Sequence, residues 1–328
     1  MQSSVLFRVI AILIGILGYG LLGAQTPSVL DQAAREVNTV VDRALPAVVT
    51  IESLYGGNRS VRSSGFIVDP AGWVVCSFEG IQGARAVRVL LSDGRISPAQ
   101  LVGADAITGI ALLRLTELGD LPSLRWGDAN RVPVGATVIL IGNRGGLPGS
   151  VTVGTLGGKD RVGIRPQNQR VILLLQFNGA VGSGEPGAPL LDTRGQVIGV
   201  IIGALSSVEG MPAGGVAVTG FAVPSSIAQR VVSDLRTKGR AEHAWLGADY
   251  QGLSGSVIVR RVAPNSPAQQ AGLMPGDLIT GFNGQPIRSA SDLTRALYMA
   301  RPNQQVELLI QREGQPLKLT VQMGVQSL

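Results

Sequence analysis

Gly182-Ser183-Gly184-Glu185-Pro186-Gly187-Ala188-Pro189-Leu190-Leu191, followed after a short turn by Gln196-Val197-Ile198-Gly199-Val200, places a tight glycine- and proline-rich loop ahead of apolar runs. Pro186 stands at its centre. Proline has no hydroxyl and no backbone N–H, so position 186 offers neither a nucleophilic oxygen nor a donor to a neighbouring carbonyl. The same alternation of turn residues and short Val/Ile/Leu runs continues along the 328-residue chain, which holds 45 glycines and 18 prolines. That pattern indicates mainly β structure. Aromatic residues make up only 4%, so the cores must be aliphatic, and a single cysteine, Cys76, excludes an intramolecular disulfide. The formal charge of +6 comes from 28 basic and 22 acidic residues. The arginines are scattered, without basic runs or interleaved aromatics. This argues against nucleic acid as a partner and leaves a modest attraction to an anionic membrane surface.

The opening stretch resembles the G-N-S-G-G-P-L…G-x-V-I-G-I segment of the HtrA family of trypsin-like serine proteases. In that pattern the third residue is the attacking serine, and here Pro186 takes its place. The nucleophile's own N–H is half of the oxyanion hole in such enzymes, and losing one donor there costs about 10²–10³ in rate. Two more motifs carry the resemblance. Gly72-Trp73-Val74-Val75-Cys76-Ser77-Phe78-Glu79-Gly80-Ile81 is similar to the strand that ends in the family's general-base histidine, with Glu79 at that position. Asp105-Ala106-Ile107-Thr108-Gly109-Ile110-Ala111-Leu112 is similar to the segment carrying the orienting aspartate, with Gly109 at that position. A solvated glutamate has a pKa of about 4 and is a poor base for an alcohol. The resemblance therefore implies a degenerate triad at Glu79, Gly109 and Pro186, with no intact catalytic residue.

Relocated chemistry has few candidates. The sole histidine, His243, lies at the junction with the next domain and reads as a linker residue. Ser183 could act only with a desolvated lysine such as Lys159 in reach. Cys76, on an apolar strand end, reads as a small buried hydrophobe. No cofactor or metal is implied.

Organisation follows from both ends. Val9 to Ala24 is uncharged and apolar after Arg8. Residues 1–28 are expected to be a signal-anchor or signal peptide, since about 20 apolar residues span a bilayer. Leu30 to Ala44 has apolar residues at helical spacing and stops at Pro46. The resemblance implies a trypsin-like double six-stranded antiparallel β-barrel within residues 29–238, its second barrel beginning near Val132. Val134–Asn143 is read as a strand, and Ser225 or Ser226 as the cap of a helix running to about Lys238.

Residues 239–328 are similar to the PDZ domains of the same family, through Trp245-Leu246-Gly247-Ala248, Ser266-Pro267-Ala268, Pro275-Gly276-Asp277-Leu278-Ile279 and Phe282-Asn283-Gly284. PDZ domains add a peptide C-terminus as a strand and take its carboxylate on backbone N–H groups. The expected peptide-binding residues are Trp245, Leu246, Gly247, Ala248 and Asp249, with Leu293 and Leu297 facing the groove from a helix or, alternatively, sitting in the core. Only Asp249 to Ser256 separates the loop from Val257–Val262, read as the next strand, which predicts a short or shallow groove.

The resemblance implies a periplasm-facing protein of the bacterial cell envelope, anchored in the inner membrane or secreted to the periplasm. It further implies a homotrimer, or a mixed oligomer with an active paralogue. The expected function is a catalytically inactive scaffold, adaptor or regulator in protein quality control that binds peptide or protein C-termini. The alternatives are an active serine endopeptidase with a relocated nucleophile and a purely structural assembly factor.

Overall fold

The computed structural model describes residues 28–116, 119–165, 170–204 and 217–326, with the backbone alone at 162–165, 170–172, 204 and 217. The expected signal-anchor or signal peptide falls outside them, apart from Ser28. Among the described residues no helix is long and apolar enough to cross a membrane. The first helix, α1 (Val29–Ala44), buries only Val40 and Ala44. The boundary between two compact units falls within it, at Thr39/Val40.

Short strands bounded by Gly, Pro and Asp turns give two closed six-stranded barrels. The first comprises β1 (Val48–Leu54), β2 (Ser60–Asp69), β3 (Trp73–Ser77), β4 (Ala86–Leu90), β5 (Ile96–Asp105) and β6 (Ile110–Leu115), in the closed order β1-β2-β3-β6-β5-β4. The second comprises β7 (Thr137–Arg144), β8 (Leu147–Arg165), β9 (Arg170–Val181), β10 (Pro189–Leu191), β11 (Val197–Ala204) and β12 (Ala217–Pro224), in the closed order β10-β11-β12-β9-β8-β7. Aliphatic side chains fill both, including Ile51, Ile67, Val74 and Leu113 in the first and Leu140, Leu156, Leu190 and Ile198 in the second. Among the described residues, Phe177 is the one aromatic residue of the second core. The strand expected at Val134 begins at Thr137 instead.

Helix α2 (Ser225–Lys238) buries Ile227, Ala228, Val231, Val232 and Leu235, the apolar stripe of a 3.6-residue period. Its expected serine cap does not form. Pro224 occupies the cap position without a side-chain bond, and the fully buried Ser225 hydroxyl instead accepts from Ala129 N at 3.3 Å. Tertiary demand for a buried N–H took the hydroxyl that local capping would have used.

The C-terminal domain contains β13 (Ala244–Trp245), β14 (Ala248–Leu253), β15 (Ser256–Val262), β16 (Leu278–Phe282), β17 (Gln285–Pro286), β18 (Gln305–Arg312), β19 (Gln315–Gln322) and β20 (Gly324–Val325), with helices α3 (Pro267–Gln270) and α4 (Ala290–Met299). The main sheet runs β14-β15-β16-β18-β19, while β13 pairs with β20. Alternation in β18 buries Val306, Leu308 and Ile310. The expectation of a short gap before the next strand is corrected here. Asp249 to Leu253 are themselves strand, paired with β15 through a tight hairpin, so the loop at Trp245–Ala248 leads directly into a six-residue edge strand.

Candidate functional site

Two places concentrate functional groups: the loop around Pro186 and the groove between β14 and α4. The first lies where the two barrels meet. Ser64 N donates to Pro186 O at 3.2 Å. A Cβ at Gly187 would stand 2.1 Å from Ser64 O and 2.7 Å from Ser77 N, at φ +93, so only glycine lets the loop lie this closely on β2 and β3. One residue beyond Ser77, Phe78 N donates to Gly109 O at 2.8 Å. The loops bearing Glu79 and Gly109 are thereby held together on the first barrel, with the Pro186 loop packed against Ser77. Glu79 is exposed.

Sequence reasoning passed over Glu185, which fixes this loop. Its carboxylate is fully buried, accepts from Gly182 N at 2.6 Å and pairs with Arg144 Nη2 at 3.0 Å. Arg144 also donates to Ala180 O at 2.6 Å and to Thr152 Oγ1. Ser64 Oγ is likewise engaged, donating to Gly184 O at 2.7 Å and accepting from Asn143 N at 2.8 Å. Cys76 is the inert residue its sequence context predicts, its thiol wholly buried and pushed by burial up to about 12. Lys159 Nζ donates to Asn130 O at 2.9 Å, while Ser183 is exposed and its carbonyl accepts from Gly145 N at 2.7 Å.

His243 is not a mere linker residue. It is buried, and its Nε2 lies 3.1 Å from Asp105 Oδ2. Asp105 also accepts from Ile107 N at 3.2 Å, Thr108 N at 3.1 Å and Thr108 Oγ1 at 2.6 Å. Burial alone would raise the Asp105 carboxyl; the bonds from His243, Thr108 and Ile107 together outweigh it and hold the group below its ordinary range. An aspartate on the first barrel thus fastens the C-terminal domain.

The second place is a pocket of about 250 Å³ at the end of β14. Trp245, Leu246, Gly247, Ala248 and Asp249 all line it. The loop's carbonyls are occupied from behind, Gly247 O by Ala263 N at 2.8 Å and Leu246 O by Ala268 N at 2.9 Å. Leu297 faces the pocket from α4. Leu293 does not: it is fully buried in the core with Val257, Val259 and Ile279, a correction to its expected place in the groove. Thr294, one residue on, lines the groove in its stead. Thr294 Oγ1 donates to Ala290 O at 2.8 Å, so Tyr250 donates the 2.8 Å hydrogen bond that joins them across the groove. Burial pushes the Tyr250 phenol up from its ordinary value. Sequence reasoning missed Tyr250, Thr294 and Tyr298, because the strand bearing Tyr250 was read as connecting loop.

Comparison with known proteins agrees with this architecture. The trypsin-like peptidase domain model matches residues 63–200, and the PDZ domain model matches residues 244–323. A probable periplasmic serine endoprotease, DegP-like, from Chlamydia trachomatis is 34% identical over 278 residues, covering 80% of this chain and 54% of its own length. The chain belongs to the HtrA family. The putative serine protease HhoB of Synechocystis sp. is 32% identical over 285 residues, covering 80% of this chain and 66% of its own. The chain spans about half the length of several of these curated relatives, 54% of the chlamydial one and 57% of a DegP-like endoprotease of Marinomonas sp.. Among solved structures, the HtrA-type protease AlgW with a tripeptide superposes with a TM-score of 0.74 at 28% identity, covering 88% of this chain and 97% of its own. The serine endoprotease of Yersinia pestis gives 0.67 at 28% identity, covering 88% and 98%. Within the HtrA frame, residues 244–323 form the PDZ domain with its groove between β14 and α4, and the barrels bring the Glu79, Gly109 and Pro186 loops to one junction.

Proposed function

We propose that this protein is a hydrolytically silent HtrA homologue of the periplasm that captures the C-termini of other proteins along β14. In this reading the barrels serve as scaffold in homo-oligomers or mixed oligomers, and residues 1–28 tether the chain to the inner membrane. Pro186 carries the proposal. The position that would supply the attacking oxygen and one oxyanion donor supplies neither, and the nearby Ser64 hydroxyl is engaged with Gly184 O and Asn143 N. Exposed Glu79 and the side-chain-free Gly109 would complete the loss. Capture itself would use the unpaired outer edge of β14 for main-chain hydrogen bonds, the Leu246–Ala248 loop for the carboxylate and Leu297 for the last side chain.

The test is overnight incubation of the purified chain with casein, alongside a mock purification and fluorophosphonate labelling. No cleavage above the mock and no label are expected. Hydrolysis has its own support in the names of the relatives, which are endoproteases, and cleavage with covalent labelling would establish that reading instead. Fractionation of cells is expected to place the chain with the inner membrane, released to the soluble periplasmic fraction when residues 1–28 are exchanged for a cleavable signal peptide.

A further inference from the structure

The pocket at the end of β14 is not closed by the C-terminal domain alone. Ile107, on the turn that follows β5 in the first barrel, lines it together with His243, Tyr250, Leu297 and Tyr298. Ile107 is only 2% exposed. Its position is set by Asp105, which accepts from the Ile107 backbone N–H and from His243 at once. The His243 ring in turn stands edge-on to Tyr298, with centroids 5.8 Å apart, and Tyr298 O accepts from Arg230 Nη1 of α2. Helix α4 is further tied to the second barrel, Ser291 Oγ donating to Asp160 O at 3.1 Å and Arg295 pairing with the Asp160 carboxylate. The groove helix is therefore linked to the turn bearing Ile107 through Tyr298, His243 and Asp105, and separately to the second barrel through Asp160.

We infer that the side chain of the captured C-terminal residue is read by both domains, with Ile107 a specificity-determining residue supplied by the first barrel. This rests on the proposed capture of C-termini. The polar groups for the carboxylate would come from the Leu246–Ala248 loop, whereas Ile107, an apolar side chain lining the same pocket as Leu297, comes from another domain. With Ile107 in place the pocket fits a medium aliphatic terminal residue, such as valine or leucine, behind a free carboxylate. An apolar pocket discriminates by size, roughly 10–200-fold per methylene gained or lost. Changing Ile107 must therefore change which terminal residue is preferred, and not only how tightly every peptide binds.

The experiment measures fluorescence anisotropy of the full chain in detergent with peptides identical except for a terminal Ala, Val, Leu or Phe, and with a C-terminal amide control. Ile107→Ala is expected to raise the ratio of Phe-ended to Val-ended affinity about tenfold, Ile107→Val less, and Ile107→Phe to lower it, each variant checked by its melting curve. A peptide ending in a photoreactive phenylalanine analogue needs no variant and is expected to cross-link to the fragment containing Ile107. An unchanged ratio in folded Ile107 variants while Leu297→Ala alters it, or cross-links confined to residues 244–323, would overturn the inference and leave capture standing. Equal, weak binding of free-acid and amide peptides to the unaltered protein would overturn capture itself.

Discussion

Pro186 and Asp105 illustrate how much one residue can decide. Restoring the hydroxyl alone, with Pro186→Ser, is expected to leave casein hydrolysis at the level of the mock purification. Nucleophile, base and orienting carboxylate act as a unit, so one regained member returns little while the others are absent. Measurable turnover by that single variant would show that Glu79 serves as a base. Asp105 makes a different point. It is a 2%-exposed carboxylate in contact with His243, and leaving a buried donor without its acceptor costs about 1–3 kcal/mol. Asp105→Ala should therefore lower the urea midpoint strongly at pH 7. The folded-state pKa of Asp105 lies below its ordinary value of 3.8, so its contribution is full above the unfolded value and is lost as pH falls through the folded one. Urea midpoints at pH 7, 5 and 3 should show the two proteins converging only at the most acid point; equal separation at all three would remove the carboxylate from the account.

At the scale of elements, the strand–helix groove sets which substitutions are informative. Gly247 sits at φ +80, and a Cβ there would approach Ser266 Cβ to 2.2 Å. Gly247→Val is therefore expected to destabilise the C-terminal domain, by more than the roughly 1–3 kcal/mol of backbone strain alone, and cannot separate loss of binding from loss of fold. Leu293 and Leu297, one helical turn apart, divide the two effects. Leu293→Ala should cost about 2–5 kcal/mol and lower the melting temperature, because the side chain is fully buried. Leu297→Lys should lower the melting temperature less than Leu293→Ala, because Leu297 is only partly buried against that core, and weaken peptide binding at least tenfold, an outcome read from melting and anisotropy together. Spacing of i and i+4 places both leucines on one face of α4. It does not say where the core ends and the groove begins, which depends on the sheet beneath.

For the whole molecule, the question is what fastens the C-terminal domain to the barrels. The described contacts are His243 with Asp105, Ser291 and Arg295 with Asp160, and Arg230 with the carbonyls of Tyr298 and Glu242. These contacts are polar, as in interfaces that permit domain motion. The double variant His243→Ala, Arg295→Glu is expected to release the domain without unfolding it. Limited trypsin digestion should then cut faster after Lys238 and Arg240, at the connection between α2 and β13, with the calorimetric transition of the barrels retained. Unaltered cleavage there would show that the apolar contacts at Ile107 suffice.

Much of this was legible in the chain. Turn residues between Val/Ile/Leu runs determined β structure, while the paired barrels and the start of the C-terminal domain came from the resemblance of its motifs to HtrA proteases. Ser266 and Ser289 cap their helices, accepting from Gln269 N and Asp292 N, because capping is decided within four residues of chain. Pro186 determined by its chemistry alone what its position lacks. The tertiary structure decided the rest, wherever a group's partner is remote in sequence. Ser225 was withdrawn from its helix by Ala129, 96 residues away; His243 was turned from linker into fastener by Asp105, 138 residues away. Ile107 came to line a pocket whose other walls begin at His243. Burial and hydrogen-bond demand in a folded interior are properties of neighbours in space, and local sequence carries no record of who those neighbours will be.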